Sequence, residues 1–370
     1  MRRPPQPDPN LAHRHGGAPK HDQDRLGLPR RPVLDFSVSL NPLGPPRCLR
    51  EAWPGLLEEA AVYPTQDGDG IRRYYERRFD VPPDEVLPGN GSTEILYLAP
   101  RALGLRRVAV PTPSFHDYAR AARLAGADVL EIPLSPQDDF APPPCNLLAE
   151  ALERADAIIL GQPNNPTGTV LPQETIERLS REFPDRWILL DEAFVQFLDD
   201  FAETSWLARR PRTANVLVLH SLTKFYALPG LRIGAAVGHP EAIARLRACK
   251  EPWSVNRIAE TIAPLLDDSD YEHRTRTLVR TERERVFHRL RELPGIRPFP
   301  SSANFLLAQW TATPDLDDLL RPLLAEGLHV RDARNFLGLE ENYFRLAVRR
   351  PEENDLLLDA LARHAGACHG

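Results

Sequence analysis

The chain has 370 residues, enough for two domains with a sizeable core, and its 42% hydrophobic and 26% charged residues are the balance of a globular protein. A net charge of −6, with no long run of Lys and Arg beyond the N-terminal tail, argues against nucleic acid as the main partner, and no apolar run approaches the roughly eighteen residues of a membrane span. Cys48, Cys145, Cys249 and Cys368 lie far apart without metal-ligand spacing, and no apolar core follows the basic N-terminus, so a reduced, cytoplasmic setting is expected.

Residues 1–31 are rich in Pro, Arg, His and Asp and read as a mostly disordered tail, His15-Gly16-Gly17 being set apart as an exception taken up below. Residues 32–50 contain "LDFSVSLNPLGPP" (34–46), a short strand ending in Asn-Pro and Gly-Pro turns, and form an arm that contributes to a smaller domain. Over 51–261, the strand candidates "RVAVP", "DVLEIPL", "AIIL", "WILLD", "VLVLH" and "IGAAVG" alternate with helical patterns. That alternation predicts parallel βαβ units and an α/β fold whose mainly parallel central sheet is flanked by helices. From 262 to 370 a long charged helix, then "NFLLAQW", "HVRDARNF", "YFRLAVRR" and a final helix predict a smaller α+β domain.

In open α/β sheets, ligands sit beyond the carboxyl ends of the strands. There "AIIL" runs into Gln162-Pro163-Asn164-Asn165-Pro166-Thr167-Gly168, "WILL" into Asp191 and "VLVLH" into Ser221-Leu222-Thr223-Lys224. An amide, a carboxylate and an amine therefore reach one sheet edge. The loop Gly89–Thr93 opens a helix, whose first N–H groups and dipole suit a phosphate. Taken singly, each residue has a plainer use: Lys224 could reach solvent, Asp191 could cap a helix, Phe115 could be core. Taken together they match the needs of pyridoxal 5′-phosphate: an amine for its aldehyde, an acid for its ring nitrogen, donors and a cation for its phosphate, and a flat plate for its ring. Lys224 sits among Leu222, Phe225, Tyr226 and Leu228, an enclosure that lowers its pKa toward the neutral, nucleophilic amine.

The motifs "PNNPTG" (163–168), "DEAF" (191–194) and "SLTKFYALPGLRIG" (221–234) resemble the class I/II, fold-type I pyridoxal-phosphate aminotransferase superfamily from about residue 32 to the C-terminus. The resemblance implies that Lys224 binds the cofactor aldehyde and later moves protons, and that Asp191 pairs with the ring nitrogen. It implies that Asn165 reaches the phenolic oxygen, that Phe115 stacks on the ring, and that Ser92, Thr93, Ser221 and Arg232 hold the phosphate. It further implies a homodimer in which Tyr63 reaches the neighbour's cofactor, and Arg345 as the clamp on the substrate α-carboxylate. Phe194 departs from the tyrosine that many relatives carry after "DEA", leaving the ring oxygen more dependent on Asn165.

"HGG" (15–17), "LDFSVSLNPLGPP", "LPGNGSTEIL" and "PWSVN" further resemble the branch of that superfamily that decarboxylates L-threonine O-3-phosphate to (R)-1-amino-2-propanol O-2-phosphate in cobalamin biosynthesis. Ala18 and Ser39 depart from that branch's usual residues. The nearest competitor is a transaminase such as histidinol-phosphate aminotransferase. Both call for a small phosphorylated substrate and a second anion site, for which Arg331 is the candidate, with His15, Gly16 and Gly17 closing over it. A non-catalytic regulator on this fold would need a DNA-binding domain, and the residues before the arm are too few and too Pro-rich for one.

Overall fold

The computed structural model describes residues 15–339 and 342–367. Strand β1 is Leu34–Asp35; the large sheet is built from β2 (Val86–Asn90), β3 (Arg107–Thr112), β4 (Asp128–Pro133), β5 (Ala157–Gly161), β6 (Trp187–Asp191), β7 (Val216–Ser221) and β8 (Ile233–Gly238). Its order is β2-β8-β7-β6-β5-β3-β4, and only β8 runs antiparallel to its neighbours. The central strands are apolar on both faces because helices cover both faces: Ile158, Leu190 and Val218 enter one core, Ile159, Leu189 and Leu217 the other. Five of the six strands expected between 51 and 261 lie parallel, as a βαβ reading requires. The sixth, "IGAAVG", is β8, which returns after only a short helix and so runs antiparallel.

Strand β2 was not legible as a strand. Its "VLPGN" carries Pro and Gly, which an edge strand tolerates, and it pairs only with β8.

The second region carries a four-stranded antiparallel sheet of β9 (Ile296–Pro298), β10 (Phe305–Trp310), β12 (Arg331–Asp332) and β13 (Tyr343–Ala347), in the order β12-β13-β10-β9. Strand β11 (Leu328–His329) pairs in parallel with β1 of the arm. The long helix Ser269–Arg291 and the helix Pro351–Ala367 pack on this region. Its core takes Val286, Leu319 and Leu361 together with Phe36 of the arm.

The reading of 1–31 as a mostly disordered tail does not hold over residues 15–31; the rest of that segment lies outside the described residues. Pro19–Arg25 is a helix started by Pro19, and Leu26 behind it is buried in the second core. The segment's low apolar content hid this, because charge pairs hold it: Arg25 donates to Asp317 at 2.9 Å, and Asp22 meets His329 at 2.9 Å. Among the described residues, no helix is long and apolar enough to cross a membrane.

Candidate active site

Three strand ends deliver the polar groups the sequence points to. After β5, Gln162 braces the loop by exchanging hydrogen bonds with the Leu171 backbone, and Asn164 builds the turn through Thr167 Oγ1 (2.9 Å) and the Pro113 carbonyl (3.0 Å). That leaves Asn165 to face the cleft. β6 ends on Asp191, and β7 ends on Ser221 and leads into the short helix Leu222–Phe225 that presents Lys224. These groups line one cleft of about 310 Å³. Ser92 and Thr93 join them from a helix start, Phe115 and Arg232 from connections beside the large sheet, Arg331 and Arg345 from β12 and β13, and His15 and Gly16 from the N-terminal segment. Of the residues expected at the site, Tyr63 and Gly17 do not line it.

Lys224 opens to the cleft but is otherwise enclosed. Burial, followed by the charges of Arg345 and Arg232, brings its ammonium down to about 8, against the opposing pull of Asp191. Asp191 is the buried counterpart. Burial raises its pKa, while the Tyr118 hydroxyl (2.8 Å to Oδ2), the Ala193 N–H (3.0 Å to Oδ1) and Lys224 oppose that rise. Arg345 donates through Nη1 to Asn165 Oδ1 and through Nη2 to the Ser37 carbonyl at 3.0 Å, and its guanidinium lies 5.0 Å from the Phe305 ring centre. Burial and then neighbouring Arg331 disfavour its charge. A guanidinium nonetheless stays protonated, so the site is short of negative charge.

The other end is built around the start of the helix Ser92–Ala102. A Cβ on Gly234 would lie 2.4 Å from the Ser92 nitrogen, and one on Gly91, whose φ is +76°, would lie 2.6 Å from Arg232 Nη2. Only glycines permit this approach of β8, the helix start and the Arg232 guanidinium. Ser221 Oγ lies 2.8 Å from Thr223 Oγ1 in the same corner. Cation, hydroxyls and helix N–H groups make a phosphate cradle. The whole arrangement fits pyridoxal phosphate: the cradle for its phosphate, Lys224 for its aldehyde, and Asp191, a buried acid that a protonated ring nitrogen would relieve. Arg345 Nε is buried and has no hydrogen-bond partner among the described residues.

The N-terminal segment reaches the cleft with a difference from expectation. Its fixed point is Ser37. The Gly17 N–H donates to Ser37 Oγ at 2.8 Å, so it is turned to the protein and not to a bound phosphate. His15 Nε2 lies 3.5 Å from Asp117 Oδ2, and its ring is 5.8 Å from that of Phe115. Tyr63 is 81% exposed and lies against Trp253, outside its own chain's cleft.

Sequence reasoning missed Tyr118, Thr223, Ser37, His116 and Asp117, all of which line the cleft. Tyr118 and Asp117 follow Phe115 in "PSFHDY", and Thr223 precedes Lys224, so adjacency to named residues was the available signal. Ser37 had none, because its partners, Gly17 on its hydroxyl and Arg345 on its carbonyl, lie 20 and 308 residues away in sequence.

Residues 31–361 match the family described as aminotransferase class I and II. A threonine-phosphate decarboxylase of Salmonella typhimurium is 35% identical over 360 residues, 94% of this chain and 95% of the relative. A histidinol-phosphate aminotransferase of Roseiflexus castenholzii is 36% identical over 360 residues, 91% of each. The crystal structure of L-threonine-O-3-phosphate decarboxylase from Porphyromonas gingivalis superposes with a TM-score of 0.78 at 28% identity, covering 89% of this chain and 98% of that one.

Proposed function

The chain belongs to the aminotransferase class I and II family, and on that premise we propose that it decarboxylates L-threonine O-3-phosphate to (R)-1-amino-2-propanol O-2-phosphate and CO2, a step of cobalamin biosynthesis. It is a pyridoxal-phosphate-dependent enzyme. The observation that carries the substrate reading is the pair of buried arginines, Arg331 and Arg345, opposite each other on β12 and β13 at one wall of the cleft. Two adjacent cations suit a substrate whose carboxylate and phosphate are only a few bonds apart, as in a phosphorylated β-hydroxy amino acid. Histidinol phosphate carries a single anionic group.

When bound, the cofactor supplies an aldehyde for the substrate amine and a ring that accepts the electron pair of the breaking bond. The remaining work falls to the chain. Arg345 grips the α-carboxylate, and Arg331 with His15 and Gly16 holds the substrate phosphate. Together they would fix the orientation of the substrate carboxylate in the cleft. Asp191, held by Tyr118, keeps a proton on the ring nitrogen. Phe115 would cover the ring, and Asn165 would meet its phenolic oxygen. Arg232, Ser221, Ser92 and Thr93 hold the cofactor phosphate. Lys224, whose amine is enclosed and carries a lowered pKa, would hold the proton that the substrate Cα needs. A homodimer is part of the reading: exposed Tyr63 would reach the cofactor phosphate of a second copy. The cytoplasm is its expected place.

The second reading is transamination of a phosphorylated amine, favoured by the comparable identity to the Roseiflexus enzyme. One experiment divides them. Cofactor-loaded protein is incubated with O-phospho-L-threonine without any keto acid and followed by NMR. Aminopropanol phosphate accumulating over many turnovers supports the decarboxylase. Unchanged substrate overturns it, and histidinol phosphate with 2-oxoglutarate is then the pair that should react.

A further inference from the structure

His329 joins three parts of the chain that are distant in sequence. It lies on β11, in register with Asp35 of β1, and is 4% exposed. Its Nδ1 is 3.1 Å from Asp35 Oδ1, and its Nε2 is 2.9 Å from Asp22 Oδ2 in the helix Pro19–Arg25. A neutral imidazole carries one N–H and can donate to only one of two carboxylates; the imidazolium donates to both. The geometry therefore calls for a charged histidine between two acids.

Both acids lead to the cleft. Asp22 sits in the helix that directly follows His15–Gly17. Asp35 Oδ1 also accepts from the Ser37 N–H at 2.8 Å. Ser37 in turn accepts Gly17 N–H on its hydroxyl and Arg345 Nη2 on its carbonyl. The fit of the segment on Ser37 is close: a Cβ on Gly16 would lie 2.2 Å from the Ser37 oxygen. We propose that Asp22, His329 and Asp35 form a clamp that seats residues 15–37 over the cleft and positions Arg345 for its anion. His329 is thus a positioning residue, not one that touches substrate.

The charges around the clamp are consistent with a protonated His329. Burial works against the imidazolium, but Asp22 and Asp35 outweigh it and raise His329 to about 9. Arg25 Nε stands 3.6 Å from Asp22, His21 neighbours Asp22 in the same helix, and Arg349 donates to the Asp35 carbonyl at 3.1 Å. Farther along, Arg25 and Arg334 share Asp317 and Asp332. With a raised pKa, the clamp's stabilisation is complete below the unfolded imidazole's value and is lost as pH climbs through about 9.

The half that concerns Arg345 and substrate rests on the proposed decarboxylase; the seating of the segment does not. The test uses the cofactor-loaded full chain as wild type, D22N and H329Q. Trypsin cleavage after Lys20 and Arg25 reports the open segment, and the cofactor's protein-bound absorbance reports an intact site. Both variants should be cleaved about tenfold faster at neutral pH with unaltered absorbance, the loss expected for one charge-assisted hydrogen bond. Their KM for O-phospho-L-threonine should rise about fivefold or more with kcat within about twofold, the pattern of weakened binding. Wild-type cleavage, normalised to an unfolded control, should accelerate as pH passes about 9, and that of H329Q should not. Unchanged cleavage in D22N, the gentler substitution, would overturn the clamp, and released segments with an unchanged KM would overturn its effect on Arg345. Should wild type fail to turn this substrate over, the proteolysis still decides the clamp, and the failure belongs to the functional reading alone.

Discussion

Arg331 and Arg345 face each other in register on the antiparallel strands β12 and β13, 7% and 6% exposed, and both line the cleft that holds Lys224. Arg345 spends two of its N–H groups on neutral acceptors, Asn165 Oδ1 and the Ser37 carbonyl, so its charge is hydrogen-bonded but not neutralised. Burial and the nearby charge of Arg331 both disfavour the Arg345 guanidinium, and a bound anion would offset them. The cost is itself a source of binding selectivity, since a neutral ligand cannot relieve it.

The two arginines should separate by substitution. R345Q should raise KM for the amino-acid substrate about a hundredfold while cofactor absorbance stays intact, because a buried charge partner is lost without touching the phosphate cradle. R331Q should instead abolish competitive inhibition by inorganic phosphate. Steady-state kinetics with and without phosphate checks both. Equal sensitivity of the two variants to phosphate would show that Arg331 does not hold that group.

Tyr118 donates to Asp191 Oδ2 at 2.8 Å and meets the Phe115 ring edge-on, with centres 5.6 Å apart. It therefore touches both the acid and the plate assigned to the cofactor ring. Y118F removes the hydroxyl that favours the ionised carboxylate, so the Asp191 pKa should rise further and its grip on a protonated ring nitrogen should weaken. We expect cofactor affinity to fall about tenfold, by roughly the worth of one hydrogen bond to a charged group. Titration of the cofactor-free protein by absorbance measures it.

The sequence showed the site more fully than the scaffold that aims it. Lys224, Asp191 and Asn165 were legible because each lies at or just beyond the end of an apolar strand, and strand ends share one edge of a parallel sheet. Arg232 was legible only through its motif, since its contact with Gly91 depends on a left-handed backbone (φ +52°) that no periodicity announces. The N-terminal segment was misread because it is held by Arg25, Asp22 and His329, charges that bind over sequence separations of about 300 residues and leave no apolar pattern. Strand β2 was missed because its pairing is fixed by β8, more than a hundred residues away.

Gly234 offers a test of the phosphate cradle with no charge changed. Its missing side chain lets β8 lie against the Ser92 nitrogen and the His220 carbonyl, where a Cβ would meet them at 2.4 and 2.8 Å. Both are backbone atoms of regular elements, so neither can yield cheaply. G234A should push the helix start away from Arg232, lowering cofactor affinity by at least about tenfold, comparable to the overpacking cost in a filled core. Binding followed by absorbance checks it; an unchanged affinity would mean that the helix start does not hold the phosphate.

Lys224 gives a pH prediction whose sign is fixed by its environment. Burial, Arg345 and Arg232 hold its ammonium at about 8 in the folded, cofactor-free protein, against 10.5 for an ordinary lysine. Between those values the unfolded chain binds a proton that the folded chain does not, so this residue makes stability rise with pH across that interval. Below about 8 the folded protein carries a buried ammonium between two arginines, which is unfavourable. K224M keeps the length of the side chain without the amine. It should abolish turnover. In urea unfolding of the cofactor-free protein it should also be more stable than wild type at pH 7, with the gap narrowing as pH rises above 8. The difference between the two proteins cancels every other titrating group, so a gap independent of pH would mean that Lys224 titrates as an ordinary lysine and that its enclosure does not prepare the amine.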